Sequence, residues 1–216
     1  DIELLNAAAN QIAVSIENAR LYKSEGEKLA IERELDNARK IQQALLPAKT
    51  AEFNSVDVKG IMIPASQVGG DYYDILKKDE DNFLILVADV SGKGLSASLY
   101  MSQIAAIIKI ISGLEKSVKN ILIKLNERLI ETLEKKYFVT MSIASVNTKT
   151  REITLCRAGH LQIIEISKEG EIKLHRPGGI GLGLNGGDIF KESLEEVKIK
   201  ADSGSVFAFF TDGITE

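Results

Sequence analysis

The period of the apolar residues changes at Pro47. Up to Leu46 the chain has no proline and one glycine, Gly26, and its apolar residues recur in steps of three and four, the spacing of an α-helix face. After Pro47 apolar and polar residues alternate, which is typical of β-strands. Because a residue that precedes proline disfavours the α conformation, the helix is predicted to end near Leu46. We therefore predict a helical stalk over residues 1–46 and a separate domain over residues 47–216.

Two apolar seams run along the predicted stalk. They are formed by Ile2, Leu5, Ala9, Ile12, Ile16 and Ala19, and by Ile31, Leu35, Ala38, Gln42 and Leu45. The seams are out of phase, so the helix is predicted to bend, unwind or change partner near Gly26. A charged helix can simply be solvated, but two seams favour a homodimer formed through the stalk.

The pattern beyond Pro47 predicts strands, then two helices, then more strands. The predicted strands are 56–62, 72–76, 83–88, 138–146, 152–157, 161–166, 171–174, 194–199 and 205–210, and the predicted helices are 95–111 and 118–134. Residues 72–76 and 83–88 flank a charged turn and are predicted to form a hairpin. This order predicts an α+β domain with antiparallel sheets covered by helices.

Composition excludes several classes of protein. The net charge of −4 comes from interspersed charged residues without a basic block, so a nucleic-acid partner is not expected. The one cysteine, Cys156, lies in an alternating segment and is predicted to be a core residue, which suits a reducing compartment. No apolar run is judged to approach the length of a membrane span. We expect a cytoplasmic protein whose present segment does not contact the membrane.

Three aspartates stand beside glycines at the ends of predicted strands. They are Asp71 in GGDYYD, Asp89 in ADVSGKG and Asp212 in FFTDG. One such aspartate is usually a turn cap. Three in one small domain, with no His or Cys beside them, favour a hard cation such as Mg²⁺ or Mn²⁺.

The segment from Ser91 to Gly94, Ser-Gly-Lys-Gly, follows a strand and opens a helix. Its Gly92 and Lys93 could present backbone N–H groups and a positive charge to a phosphate. The segment lacks the spacing of nucleotide-binding loops, which argues against an NTPase.

Five motifs in order carry a resemblance to a known family. They are GGDYYD at 69–74, DVSGKG at 89–94, AGH at 158–160, GLGL at 181–184 and TDGITE at 211–216. They resemble the SpoIIE/RsbU branch of the PPM, or type 2C, protein phosphatases over about residues 38–216. Residues 1–22 are similar to the closing helix of a GAF sensor domain.

The resemblance implies an α/β/β/α fold with two Mn²⁺ or Mg²⁺ ions between two central sheets. Asp89 would bridge both ions, Val90 would offer its backbone carbonyl, Asp212 would bind one ion, and Asp71 would act directly or through water. The ions would activate a water molecule that attacks the phosphorus of phosphoserine or phosphothreonine. In such proteins the two helices that follow the bridging aspartate act as a switch.

Two departures from the family pattern stand out. The family's last metal-binding aspartate would lie beyond Glu216, so the domain is expected to be C-terminally incomplete and this chain could be without bound metal and inactive. No arginine precedes Gly69 to clamp phosphate, and Lys93 could substitute. His160 is interpreted as a turn histidine bonded to backbone rather than a general acid, and His175 as incidental.

These observations predict a metal-dependent phosphoprotein phosphatase that is regulated through its N-terminal helix. The predicted substrate is a phosphorylated bacterial signalling protein, an anti-sigma-factor antagonist of the STAS type. The alternative is a catalytically inactive dimeric signalling or interaction module.

Overall fold

The computed structural model describes residues 1–64 and 66–214. The chain divides into two units, Asp1–Ile41 and Gln42–Glu216. The helix α1, Ile2–Leu45, supplies the whole of the first unit's regular structure, and its last turn belongs to the second unit.

Helix α1 continues through Gly26 without interruption. The prediction that it unwinds there is wrong, since one glycine costs a helix only about 1 kcal/mol relative to alanine and no atom crowds this position. The helix ends at Leu45, close to the predicted Leu46. Gln42 also departs from the prediction, because it is buried within the second unit instead of lying on a seam.

The described residues of the second unit, 42–64 and 66–214, form ten strands and three further helices. The strands are β1 (Thr50–Phe53), β2 (Val56–Lys59), β3 (Tyr72–Lys77), β4 (Asn82–Val90), β5 (Val139–Asn147), β6 (Glu152–Ala158), β7 (Ile163–Ile166), β8 (Ile172–His175), β9 (Glu196–Lys200) and β10 (Val206–Ala208). The helices are α2 (Leu95–Leu114), α3 (Val118–Thr132) and α4 (Gly187–Ser193), and a short 3-10 helix covers Asp212–Ile214.

The strands form three antiparallel sheets. Their strand orders are β3-β4-β5-β6-β9, β10-β7-β8 and β1-β2. Strands β3 and β4 make the predicted hairpin, with Tyr72 opposite Ala88. The α+β class with antiparallel sheets and helices is confirmed.

Two apolar cores lie on opposite faces of the five-stranded sheet. On one face α2 and α3 pack against the sheet through side chains such as Met101, Ile108 and Leu125. On the other, Phe83 and Leu155 pack with Phe53, Ile163 and side chains of the smaller sheets. No helical residue of the described ranges belongs to this second core. These residues therefore form a helix layer and two sheet layers.

Helix α2 is long and apolar enough to cross a membrane, by length and composition only. This corrects the expectation that no apolar run reaches that length. Eight of its residues are buried, and several of them, such as Ala97 and Ile104, pack in the core beside the sheet. A core helix of this kind meets the same criterion, so the finding is weak evidence for a span.

Candidate functional site

Asp89 lies one residue before the end of β4, opposite Thr140 of β5. Its neighbours Ala88 and Val90 are buried in the core on the helix side. Because side chains alternate along a strand, the carboxylate of Asp89 points to the other face, towards the second sheet layer. The prediction that Asp89 lies at the end of a buried strand is confirmed.

Asp212 faces the same cleft as Asp89. It follows β10 and begins the short 3-10 helix. Both aspartates line a cleft of about 330 Å³, to which Ser91, Thr140 and His160 also contribute. Two carboxylates that are distant in sequence therefore meet on one surface.

Asp71 is held between the segments that carry Val90 and Asp212. A Cβ atom on Gly70 would lie 2.7 Å from the carbonyl oxygen of Val90, so only glycine allows this close approach. A Cβ atom on Gly213 would lie 3.3 Å from Oδ2 of Asp71. The segment of Asp71 is thus close to Val90 at Gly70 and close to the segment of Asp212 at Gly213.

The donor set is made of hard oxygen atoms, which suit Mg²⁺ or Mn²⁺. Within residues 1–64 and 66–214, no three His, Cys, Asp or Glu side chains are arranged to hold an ion. The donors therefore fit these metals in their chemistry, although the described carboxylates are not grouped closely enough to hold an ion by themselves.

His160 is buried between the two aspartate-bearing segments. Its Nε2 lies 3.1 Å from the carbonyl oxygen of Phe210 and its Nδ1 lies 2.7 Å from Oγ1 of Thr140. Since a carbonyl only accepts, Nε2 donates to Phe210 and the hydroxyl of Thr140 donates to Nδ1. Burial lowers the pKa of His160 to about 4. His160 is therefore neutral and links the segments of Thr140 and Phe210 by hydrogen bonds. Its bond to a backbone carbonyl agrees with the interpretation from the sequence.

Two arginines in the cleft were missed by the sequence analysis. Arg157 is the second-last residue of β6, and Arg176 directly follows β8. Both line the cleft with Asp89 and Asp212. Arginine on a strand edge is usually a solvated residue, and no local pattern joins these two positions. Only the pairing of distant segments brings them to the aspartates.

His175, treated as incidental, is instead buried, and its Nε2 lies 2.6 Å from Oε2 of Glu165. Cys156 is buried in the core as predicted, and burial raises the pKa of its thiol to about 12; Met101 is buried in the core too. Neither Cys156 nor Met101 lines the cleft.

The comparison with protein families decides the family. The model of the Stage II sporulation protein E (SpoIIE) family matches residues 79–216, well over half of the chain. The chain belongs to the SpoIIE family.

Relatives agree with this placement in the SpoIIE family. Phosphoserine phosphatase RsbU of Bacillus subtilis (strain 168) is 29% identical over 187 residues, which cover 86% of this chain and 54% of RsbU. The chain therefore spans about half the length of this relative.

Two solved structures share the fold. The SiaA-PP2C domain of Pseudomonas aeruginosa has a TM-score of 0.65 at 18% identity and covers 83% of this chain and 71% of that one. RsbX in complex with magnesium has a TM-score of 0.52 at 23% identity and covers 65% of this chain and 64% of that one. The fold of this SpoIIE-family chain is thus that of PP2C phosphatase domains.

The glycine loop after β4 has a defined conformation. Gly92 and Gly94 have φ values of 95° and 76°, a region that favours glycine. Ser91 lines the cleft, whereas Gly92 and Lys93 are exposed and are not among its lining residues. Their role in phosphate binding stays a prediction.

Proposed function

We propose that this chain belongs to the catalytic domain of a metal-dependent phosphoprotein phosphatase that acts on phosphoserine or phosphothreonine. The observation that carries the proposal is the convergence of Asp89 and Asp212 on one cleft, with Asp71 against Gly213. Membership of the SpoIIE family and the similarity to a phosphoserine phosphatase support it.

Asp89, the Val90 carbonyl, Asp212 and Asp71 would be ligands of two Mn²⁺ or Mg²⁺ ions. Bound there, such ions would lower the pKa of a water molecule and neutralise charge on the phosphoryl oxygens. The magnesium complex of RsbX, a protein of the same fold, supports this choice of cation.

The chain's own residues hold this centre in place. Strand β4, paired on both sides, fixes Asp89 and Val90. Gly70 lets the segment of Asp71 lie against Val90. His160 ties Thr140 to Phe210, and so places the segment before Asp212 beside β5. Since His160 is neutral and bonded at both nitrogens, it would not serve as a proton donor.

We further infer a phosphorylated STAS-type anti-sigma-factor antagonist as the substrate of the whole protein in the cytoplasm. The similarity to phosphoserine phosphatase RsbU supports a phosphoserine substrate. Residues 1–46 would be a dimeric connector between a GAF-like sensor and the phosphatase domain. The exposed apolar side chains of α1, among them Ile12 and Ile16, support its pairing with a second copy.

The variant Asp89→Asn tests the catalytic proposal in the full-length protein that contains this chain. We expect Mn²⁺-dependent release of phosphate from a phosphoserine peptide, and a drop in kcat of about a thousandfold in the variant, because a neutral amide would replace a bridging carboxylate. The matched control is Asp202→Asn, a change at an exposed loop residue.

Two results would contradict the proposal. Turnover by Asp89→Asn equal to that of the control would remove the metal-binding role of Asp89. Absence of phosphate release by the unchanged protein would favour the alternative, a catalytically inactive dimeric module.

A further inference from the structure

Arg176 has a fixed backbone and an exposed side chain. On one side, His175 is buried and bonded to Glu165. On the other, Pro177 is buried and its carbonyl oxygen accepts a hydrogen bond of 2.8 Å from Nε of Arg157. The residues on both sides of Arg176 are therefore held in place, and Arg176 itself lines the cleft of Asp89 and Asp212.

The side chain of Arg157 lines the same cleft and is held by two hydrogen bonds. Its Nε bonds to Pro177, and its Nη1 donates to the carbonyl oxygen of His160 at 2.6 Å. Burial and the nearby positive charge of Arg176 lower the pKa of Arg157. Two guanidinium groups thus lie close together, which is unfavourable unless an anion offsets their charges.

Arg157 is half-buried and its side chain donates to two carbonyl groups, whereas the side chain of Arg176 is exposed. Arg176 is the group with donors left to offer. A guanidinium binds phosphate through two parallel hydrogen bonds, which a lysine ammonium cannot reproduce.

We propose that Arg176 binds the phosphoryl oxygens of the substrate, and that Arg157 is a positioning residue that holds the Arg176 segment beside the aspartates. This inference rests on the proposed phosphatase function, since bound cations would be needed to offset the charges of Asp89 and Asp212. It supplies the arginine that is absent before Gly69, from a different element of the fold.

The test compares Arg176→Ala and Arg176→Lys in the full-length protein. The matched control is Arg128→Ala, a change at an exposed arginine on α3 whose side chain pairs with exposed Glu131. Two quantities are measured: the KM for a phosphoserine peptide with Mn²⁺, and the affinity for inorganic phosphate, from ³¹P NMR titration with Mg²⁺. Mn²⁺ affinity and melting temperature are recorded for every variant.

We expect Arg176→Ala to raise the KM and to weaken phosphate binding, each by about tenfold or more, because a hydrogen bond between charged groups is lost. Arg176→Lys should recover part of the loss, since it restores the charge but not the paired donors. Arg128→Ala should match the unchanged protein. Mn²⁺ affinity should stay constant in all of them.

Each remaining outcome overturns a distinct statement. If Arg176→Ala matches Arg128→Ala in both measurements, Arg176 does not bind substrate. If the KM rises while phosphate affinity is unchanged, Arg176 contacts the protein part of the substrate and the phosphoryl assignment is wrong. If the unchanged protein releases no phosphate, the proposed function fails, and phosphate titration still reports whether Arg176 binds the anion.

Discussion

At the scale of single residues, His160 shows how burial sets a protonation state. An unfolded histidine gains its proton near pH 6.5, but burial lowers the pKa of folded His160 to about 4. Between these values the unfolded chain binds the proton and the folded chain does not. The contribution of His160 to stability is therefore complete above pH 6.5 and is lost as the pH falls towards 4.

We predict that this chain loses up to about 3 kcal/mol of unfolding free energy between pH 7 and 4 through His160 alone. The change His160→Gln keeps a donor and an acceptor but does not titrate, so its stability should fall less over this interval. Urea unfolding of both proteins at several pH values, with EDTA present, measures the difference. Parallel stability curves for the two proteins would refute the prediction.

Some residues of the site could be predicted from the sequence and others could not. Asp71, Asp89 and Asp212 were found because each stands beside glycine at the end of a strand, a pattern that local sequence preserves. Arg157 and Arg176 were missed because β6 and β8 lie in different sheets. Their proximity is a property of sheet packing, which local patterns do not contain.

At the scale of elements, the last turn of α1 is joined to the GGD motif by a side-chain amide. Gln42 is buried, its Nε2 donates to the carbonyl oxygen of Gly69 at 2.7 Å, and its Oε1 accepts from the Gly69 N–H at 3.2 Å. Gly69 lies two residues before Asp71. A displacement of the end of α1 would therefore act on the backbone that carries a proposed metal ligand.

We predict that Gln42→Ala lowers the unfolding free energy by about 1–3 kcal/mol, because two buried backbone groups lose their partners. In the full-length protein it should also weaken Mn²⁺ binding. Gln43→Ala is the matched control, since Gln43 is the next residue of the helix and is exposed. Urea unfolding and Mn²⁺ titration test the pair. Equal results for the two variants would show that the hydrogen bonds between Gln42 and Gly69 have no such role.

The elements that the sequence predicted are those with strong periodic patterns. Helices α2 and α3 and the hairpin of β3 and β4 fall close to their predicted ranges. Strand β1 and helix α4 were not predicted. Phe53 of β1 stacks on Phe83 of β4, with ring centroids 4.2 Å apart, and Phe190 of α4 is buried in the core beside the sheet. Tertiary packing determines such elements.

At the scale of the whole molecule, α1 leaves the side chains of Ile12 and Ile16, two residues of its first seam, exposed. Ile12 and Ile16 are 60% and 64% exposed, and the seam repeats in steps of three and four. A helix with such a seam gains stability when a second helix covers it, at about 1.5–3 kcal/mol for each buried isoleucine. The proposed homodimer would supply that cover.

We predict that this chain is a dimer in solution and that the double change Ile12→Glu and Ile16→Glu raises its dissociation constant at least about a hundredfold, because charged groups would be placed in an apolar seam. The control is Asn10→Glu with Asn18→Glu, which adds the same charge outside the seam. Sedimentation equilibrium over a range of concentrations measures all three proteins. Only the seam variant should dissociate; a monomeric unchanged chain, or equal dissociation of both variants, would show that α1 does not pair through this seam.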